Sequence, residues 1–114
     1  MELVHQIKEN CLLLVLAGDL IGENGGVEIL EVVSDAVNMN VFSVVVDLEK
    51  VRYVNSSGLG VLITLLTKVR NKQGELVVVN PSEQVKKLFQ ITKLNDVFKS
   101  FDTEVEAIQA LNSK

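Results

Sequence analysis

Residue types that commonly build catalytic and metal sites are scarce in this sequence of 114 residues. There is one cysteine, Cys11, and one histidine, His5, so the chain offers neither an internal disulfide nor the usual Cys/His metal cluster. Tryptophan is absent and there is a single tyrosine, which leaves no aromatic platform for stacking bases or sugars. The low thiol content indicates a reducing compartment. We therefore expect a cytoplasmic protein with no metal and no other cofactor.

Long apolar segments and an excess of positive charge are also missing. The longest apolar run covers residues 11–17, whereas a membrane-spanning helix needs about 20 apolar residues. Glu2 and Glu9 precede this run, where a secretion signal would carry positive charge, so we expect no membrane insertion. The net charge of −4 argues against binding of nucleic acid. The charge is uneven: residues 1–49 hold nine acids and one lysine (−8), whereas residues 50–114 hold ten basic and six acidic residues (+4).

The apolar pattern predicts one α/β domain over residues 1–114. Two strands, 3–8 and 11–17, are joined at Glu9-Asn10 as a hairpin. Strands and amphipathic helices then alternate, which implies crossover connections and a mainly parallel sheet. We expect four to five strands, an antiparallel N-terminal edge strand and about four helices. The later predicted elements are helix 27–37, strands 42–48 and 51–54, a second helix from the serines, strand 76–79, a short helix with Val85, Leu88 and Phe89, edge strand 97–101, and a closing helix with Val105, Ile108 and Leu111.

The second predicted helix begins at a cluster of small polar residues. Asn55 is a suitable N-cap for the apolar stripe that follows. Ser56 and Ser57 stand beside Gly58 and Gly60, a sequence that lowers helix propensity and leaves the backbone bare where another molecule can approach. The unpaired N–H groups and the helix dipole stabilise an anion at such a position by roughly 0.3–1 kcal/mol. We therefore predict a site here that tolerates a phosphate.

Two apolar residues of this helix have two possible surroundings. The core stripe is predicted from the spacing of Leu59, Leu62, Ile63, Leu66 and Val69. Val61 and Leu65 lie off this stripe, where they are either covered by a neighbouring helix or exposed as the apolar centre of a contact surface. We include both in the predicted partner-binding surface.

Enzyme chemistry is poorly supported at the serines. A nucleophilic serine needs a base within hydrogen-bond reach, and His5 belongs to the first strand. The glycine spacing also differs from that of the phosphate-binding loop of nucleotide hydrolases. Asp47 is either a carboxylate neighbour of the site or a residue that bonds its own local backbone. Cys11 is most simply a small buried apolar residue. We expect no catalytic residues.

One long segment carries a family resemblance. The run Val44-Val45-Val46-Asp47-Leu48, followed by Val51-x-Tyr53-Val54-Asn55-Ser56-Ser57-Gly58-Leu59-Gly60-Val61-Leu62, resembles the signature of the STAS domain family, in particular the bacterial anti-sigma factor antagonists. In that family a serine or threonine at the start of the second helix is phosphorylated by an anti-sigma factor that is a serine kinase, and a phosphatase reverses the modification. The unphosphorylated antagonist binds the anti-sigma factor and so releases the sigma factor.

The resemblance implies a role for each residue of the cluster. Ser57 corresponds to the phospho-acceptor, with Ser56 as second choice and Asp47 as a supporting residue. The implied partner-binding residues are Asn55, Ser56, Ser57, Gly58, Val61 and Leu65. Two positions differ from the family pattern. Asn55 stands where an Asp is usual, and Ile21 stands where Gly-x-Leu-Asp would place an Asp.

The leading hypothesis is a phosphorylation-switched antagonist that binds a kinase-type anti-sigma factor. The alternative is a constitutive STAS scaffold subunit of a transporter or stress-signalling complex that is never phosphorylated. A small nucleotide-binding or hydrolytic enzyme is a third hypothesis, which the missing acid and base residues disfavour.

Overall fold

The computed structural model describes residues 2–21 and 25–113. Five strands and four helices alternate along the chain after an initial pair of strands. In the part of the chain that the structure describes, one 3-10 turn, Leu94–Asp96, lies between the third helix and the fifth strand. The elements are β1 Glu2–Lys8, β2 Cys11–Leu20, α1 Gly26–Asn38, β3 Ser43–Val54, α2 Ser56–Arg70, β4 Glu75–Val79, α3 Glu83–Ile91, β5 Ser100–Phe101 and α4 Glu104–Asn112.

The first two strands form the predicted hairpin. Glu9 and Asn10 have φ values of 51° and 65°, so both turn residues are left-handed. A two-residue turn of this type matches the right-handed twist of the flanking strands and pairs Lys8 with Cys11. The hairpin places β1 at the edge of the sheet.

The sheet has the order β1-β2-β3-β4-β5, in which β1 is antiparallel to β2 and all other neighbours are parallel. This confirms the predicted α/β class, the antiparallel edge strand and the number of helices. Parallel neighbours place the carboxyl ends of β2, β3 and β4 at one edge of the sheet, where each chain segment enters a helix. The start of α2 lies at this edge.

Each face of the sheet has its own apolar cluster. The residues of α1, α2 and α3 pack with one set of strand residues, among them Val44, Val46 and Leu48 of β3. The residues of α4 pack with the alternate set, which includes Val45. Three helices therefore cover one face, and α4 alone packs on the other. The cluster on the α4 face is Cys11, Leu13, Val45, Val77, Val79, Ala107, Ile108 and Leu111.

Several predicted details are wrong. Residues 43–54 form one continuous strand rather than two. The last strand is only Ser100–Phe101, because Val97 still donates its N–H to Leu94 O in the 3-10 turn. Val105 is exposed, and Ala107 takes the expected place in the core beside Ile108 and Leu111.

No helix in residues 2–21 and 25–113 combines the length and the apolar character needed to cross a membrane.

Candidate functional site

Asn55 caps α2 as predicted. Its side-chain Oδ1 accepts a hydrogen bond from the Gly58 N–H at 2.8 Å, and its backbone is extended. Its carbonyl oxygen accepts the first bond of the helix, from the Leu59 N–H at 2.9 Å. The side chain thus satisfies one of the N–H groups that every helix leaves unpaired at its first turn.

The start of α2 is also fixed to the end of β2. The Asn55 N–H donates to Leu20 O at 3.2 Å, and Gly58 packs against the same carbonyl group. A Cβ added to Gly58 would lie 2.1 Å from Leu20 O, which no side chain tolerates. Gly58 is therefore required for the close approach of two backbone segments. It is buried, so any role in binding a partner is indirect.

Ser56 and Ser57 lie in the first turn of α2 and are exposed. That turn holds no acidic residue that would neutralise the positive end of the helix dipole, whereas Lys68 and Arg70 lie in the last turn, at its negative end. Gly60 has open space around it, since an added Cβ would meet no atom within 4 Å. The two hydroxyls and Gly60 therefore form an accessible surface with a positive electrostatic tendency.

The two apolar residues assigned to the partner-binding surface differ. Val61 is half-buried, and its side chain packs against the start of α1, where a Cβ added to Gly26 would be 3.0 Å from Val61 Cγ2. Leu65 is 0% exposed and belongs to the core cluster under the helices. The prediction that Leu65 belongs to a contact surface is wrong, because the side of α2 that packs on the sheet contains Leu65 and not Ile63. Ile63, predicted in the core, is 41% exposed. The buried residues of α2 are Gly58, Leu62, Leu65, Leu66 and Val69.

Ile63 lines a cleft that the sequence pattern did not indicate. The cleft lies between α1 and α2, has a volume of about 550 Å³ and includes Leu30, Ser34, Thr67 and Lys68. Only the pairing of two specific helices creates it, so no local signal in the sequence could have revealed it.

Asp47 lies in the middle of β3 and is half-buried. Its Oδ1 accepts a hydrogen bond from the Glu49 N–H at 3.0 Å, which is the local backbone bond predicted as one alternative. Because Val46 and Leu48 pack under the three helices, alternation places Asp47 on the α4 face of the sheet. The structure thus does not bring Asp47 to the sheet face that α2 covers.

The remaining candidates for chemistry are separated from the serines. His5 lies on the edge strand β1 and is exposed. Cys11 is buried in the α4-face cluster, where burial, assisted by the charge of Glu9, raises the pKa of its thiol. The thiol is therefore neutral near pH 7 and behaves as an apolar side chain, as predicted. Within the described ranges, no three His, Cys, Asp or Glu side chains are grouped so that they could hold a metal ion.

An ion pair that sequence reasoning missed joins the ends of β2 and β3. Arg52 Nη2 and Nε donate to the two carboxylate oxygens of Asp19 at 2.9 and 3.0 Å. The Arg52 hydrogen bond lowers the pKa of Asp19. Asp19 directly precedes Leu20, whose carbonyl oxygen anchors Asn55. The register of two parallel strands creates this contact across 33 positions of sequence.

The structure is thus a small α/β domain in which a capped, serine-bearing helix begins at the carboxyl ends of the parallel strands. The profile of the STAS domain family matches residues 2–107, and the chain belongs to this family.

Two curated relatives illustrate the family in bacteria. The chain is 38% identical over 61 residues to the anti-sigma-B factor antagonist of Listeria monocytogenes, a match that spans 54% of each protein. It thus spans about half the length of this relative. It is 26% identical over 110 residues to a Thermotoga neapolitana homolog of TM1081, with 96% of this chain and 97% of that protein covered.

Solved structures share the fold. The crystal structure of TM1081 from Thermotoga maritima superimposes with a TM-score of 0.86 at 22% identity, over 96% of this chain and 94% of that one. The anti-sigma factor antagonist SpoIIAA in its unphosphorylated form gives 0.78 at 22% identity, over 99% and 100% of the two chains. The phosphorylated form of SpoIIAA gives 0.76 at 22% identity, over 96% and 98%.

Proposed function

We propose that this protein is an anti-sigma factor antagonist that binds a kinase-type anti-sigma factor through the start of α2 and is switched off by phosphorylation of Ser57. The observation that carries the proposal is the exposed pair Ser56-Ser57 on a helix start that is rigidly held by Asn55 and Gly58. The two curated relatives are named as anti-sigma factor antagonists, which supports an anti-sigma factor as the partner. The fit to a phosphorylated neighbour, SpoIIAA, supports the type of switch.

The proposed contact surface consists of Ser56, Ser57, Gly60 and the exposed part of Val61, with Asn55 and Gly58 holding it in place. A rigid surface loses little conformational entropy on binding, which favours affinity. Leu65 is removed from the surface because it belongs to the core.

Phosphorylation is expected to act locally. A phosphoserine carries about −1.5 to −2 charges near neutral pH, and the free helix start accommodates it. Asn55 contributes no negative charge beside it, in contrast to the Asp usual in the family. In the complex, however, the dianion would be desolvated against a surface shaped for a hydroxyl, and an unpaired buried charge costs several kcal/mol. A phosphatase would restore the binding form.

The test uses the anti-sigma factor kinases encoded in the source genome, ATP and mass spectrometry. Ser57→Ala should incorporate no phosphate and still bind the kinase, whereas Ser56→Ala, the matched control at the neighbouring exposed hydroxyl, should be phosphorylated normally. Phosphate that persists in Ser57→Ala and disappears in Ser56→Ala would assign the acceptor to Ser56 and contradict the proposal.

Binding affinity provides the second measurement. Ser57→Asp should keep the thermal stability of the parent and bind the kinase at least about 100-fold more weakly, which corresponds to roughly 3 kcal/mol. A Ser57→Asp variant that binds as tightly as the parent would contradict the switch and favour a constitutively bound scaffold.

A further inference from the structure

The two edges of the sheet are unequal. The edge strand β5 has two residues, whereas β1 has seven, and no described residue pairs with its outer side. Proteins usually protect such an edge with a central charge, a proline or a bulge. The charges of β1, Glu2 and Lys8, stand at its two ends, and its register with β2 is uninterrupted. The edge is therefore open to pairing with another strand.

The hairpin turn determines which groups of β1 face outward. Lys8 and Cys11 flank the two-residue turn, so they form a hydrogen-bonded pair. Hydrogen-bonded and non-hydrogen-bonded pairs alternate along an antiparallel ladder. The N–H and C=O groups of Leu3, His5 and Ile7 therefore point away from β2, toward the open edge.

We infer that β1 pairs with β1 of a second copy of this chain, antiparallel and centred on His5, to give a twofold dimer with a continuous sheet. In this register Leu3 lies opposite the partner's Ile7, and His5 lies opposite the partner's His5. All three outward-facing residues of each strand then exchange hydrogen bonds. The surface acts separately from the start of α2 and does not depend on the proposed function.

The side chains of β1 are complementary in the same register. Glu2 lies opposite the partner's Lys8, and twofold symmetry produces this ion pair twice. On the other face of the strand, Leu3 is half-buried and Ile7 is 46% exposed, so their pairing covers apolar surface that water now contacts. A shift of the register by two residues in either direction leaves both Glu2 and Lys8 without an opposite charge across the strand pair. Charge therefore selects the register.

One acid of α1 lies beside this contact. Asp35 lines a cleft between α1 and β1 together with His5 and Ile7, whereas Glu28 and Glu31, exposed on the same helix, do not line that cleft. Repulsion between the Asp35 carboxylates of the two copies opposes the ion pairs of Glu2 and Lys8, and salt screens it.

The dimer also leaves the serine site accessible. β1 pairs only with residues 11–17 of β2, whereas Asn55 is anchored at Leu20, beyond that stretch. A second copy at the β1 edge thus does not contact the start of α2.

Sedimentation velocity over a concentration series tests the dimer. We expect the 12.5 kDa protomer to convert to a species of twice that mass as concentration rises. Glu2→Lys and Lys8→Glu should each weaken dimerisation by about tenfold, because each creates two like-charge pairs. The double swap Glu2→Lys with Lys8→Glu should restore the affinity of the parent. A parent that stays monomeric at millimolar concentration, or single variants that dimerise like the parent, would overturn the inference.

A backbone test uses His5, whose N–H faces the open edge. Proline is tolerated in edge strands where the lost N–H faces solvent, so His5→Pro should fold and remain monomeric. His5→Ala, the matched control, keeps the N–H and should dimerise. Circular dichroism of both variants checks that β1 is intact. A folded His5→Pro variant that dimerises as well as His5→Ala would contradict pairing through the β1 backbone.

Discussion

The buried and exposed sides of α2 differ in what holds their residues in place. On the buried side, Leu65 packs in the core and Gly58 lies against the backbone of Leu20. On the exposed side, the Thr64 hydroxyl donates to Gly60 O at 2.8 Å and the Thr67 hydroxyl donates to Ile63 O at 3.0 Å, so the helix satisfies its own polar groups there. Changes on one side should therefore act on stability, and changes on the other should act on binding.

The largest expected effect comes from Leu65→Ala. Truncating a fully buried leucine removes apolar contacts and leaves a cavity, so we expect the free energy of unfolding to fall by about 2–5 kcal/mol. Urea unfolding followed by circular dichroism measures it. Ile63→Ala, on the exposed side of the same helix, is the control and should lose less than about 1 kcal/mol. Equal losses in the two variants would remove the distinction between the two sides.

The spacing of apolar residues in α2 does not by itself show that Leu65 is buried and Ile63 exposed. Seven apolar residues between positions 59 and 69 occupy most of the helix circumference, so more than one stripe fits the spacing. The orientation is decided by Gly58, which must face the backbone of β2. Gly58 lies on the same side of the helix as Leu62 and Leu65, so its position in the sequence could have indicated the buried side. That interpretation requires knowing that the Leu20 backbone of β2 approaches Gly58, which the spacing does not show.

Other elements followed directly from local rules. Asn55 was predicted as the cap of α2 because its side chain reaches the N–H three residues later, a contact that sequence spacing alone defines. Thr103 caps α4 at the same spacing, since its Oγ1 accepts a hydrogen bond from the Glu106 N–H at 3.1 Å. By contrast, the Asp19–Arg52 pair and the face occupied by Asp47 depend on strand register, which no local pattern encodes.

Gly58→Ala should have the next largest effect. The added Cβ would collide with the Leu20 carbonyl, and neither backbone segment moves without breaking the Asn55 anchor, so we expect a loss of about 1–3 kcal/mol. Gly60→Ala is the matched control two residues away. Its Cβ enters open space and improves helix propensity, so stability should be unchanged or rise by up to about 1 kcal/mol. Chemical denaturation compares the two, and a Gly58→Ala variant as stable as Gly60→Ala would contradict the close approach.

Asn55→Ala should lose about 1 kcal/mol, because the Gly58 N–H loses its acceptor at the helix start. Asn55→Asp keeps a capping oxygen and adds a favourable charge at the positive end of the helix, so it should be at least as stable as the parent. Thermal unfolding of the three proteins provides the comparison. If Asn55→Asp is destabilised as much as Asn55→Ala, the stabilisation does not come from the capping oxygen.

The smallest effect is expected at the Asp19–Arg52 ion pair, which joins the ends of β2 and β3. The Arg52 hydrogen bond lowers the pKa of Asp19 in the folded protein, so the charged carboxylate is favoured on folding. The resulting stabilisation is present above the unfolded value of about 3.9 and is lost as pH falls through the lowered folded value. Both side chains are partly or largely exposed, so the contribution is small and screened by salt. A double-mutant cycle of Asp19→Asn and Arg52→Gln should give a favourable coupling energy at about pH 6 that disappears in strong acid. A coupling energy that is the same at both pH values would show that the pair does not act through the charge of Asp19.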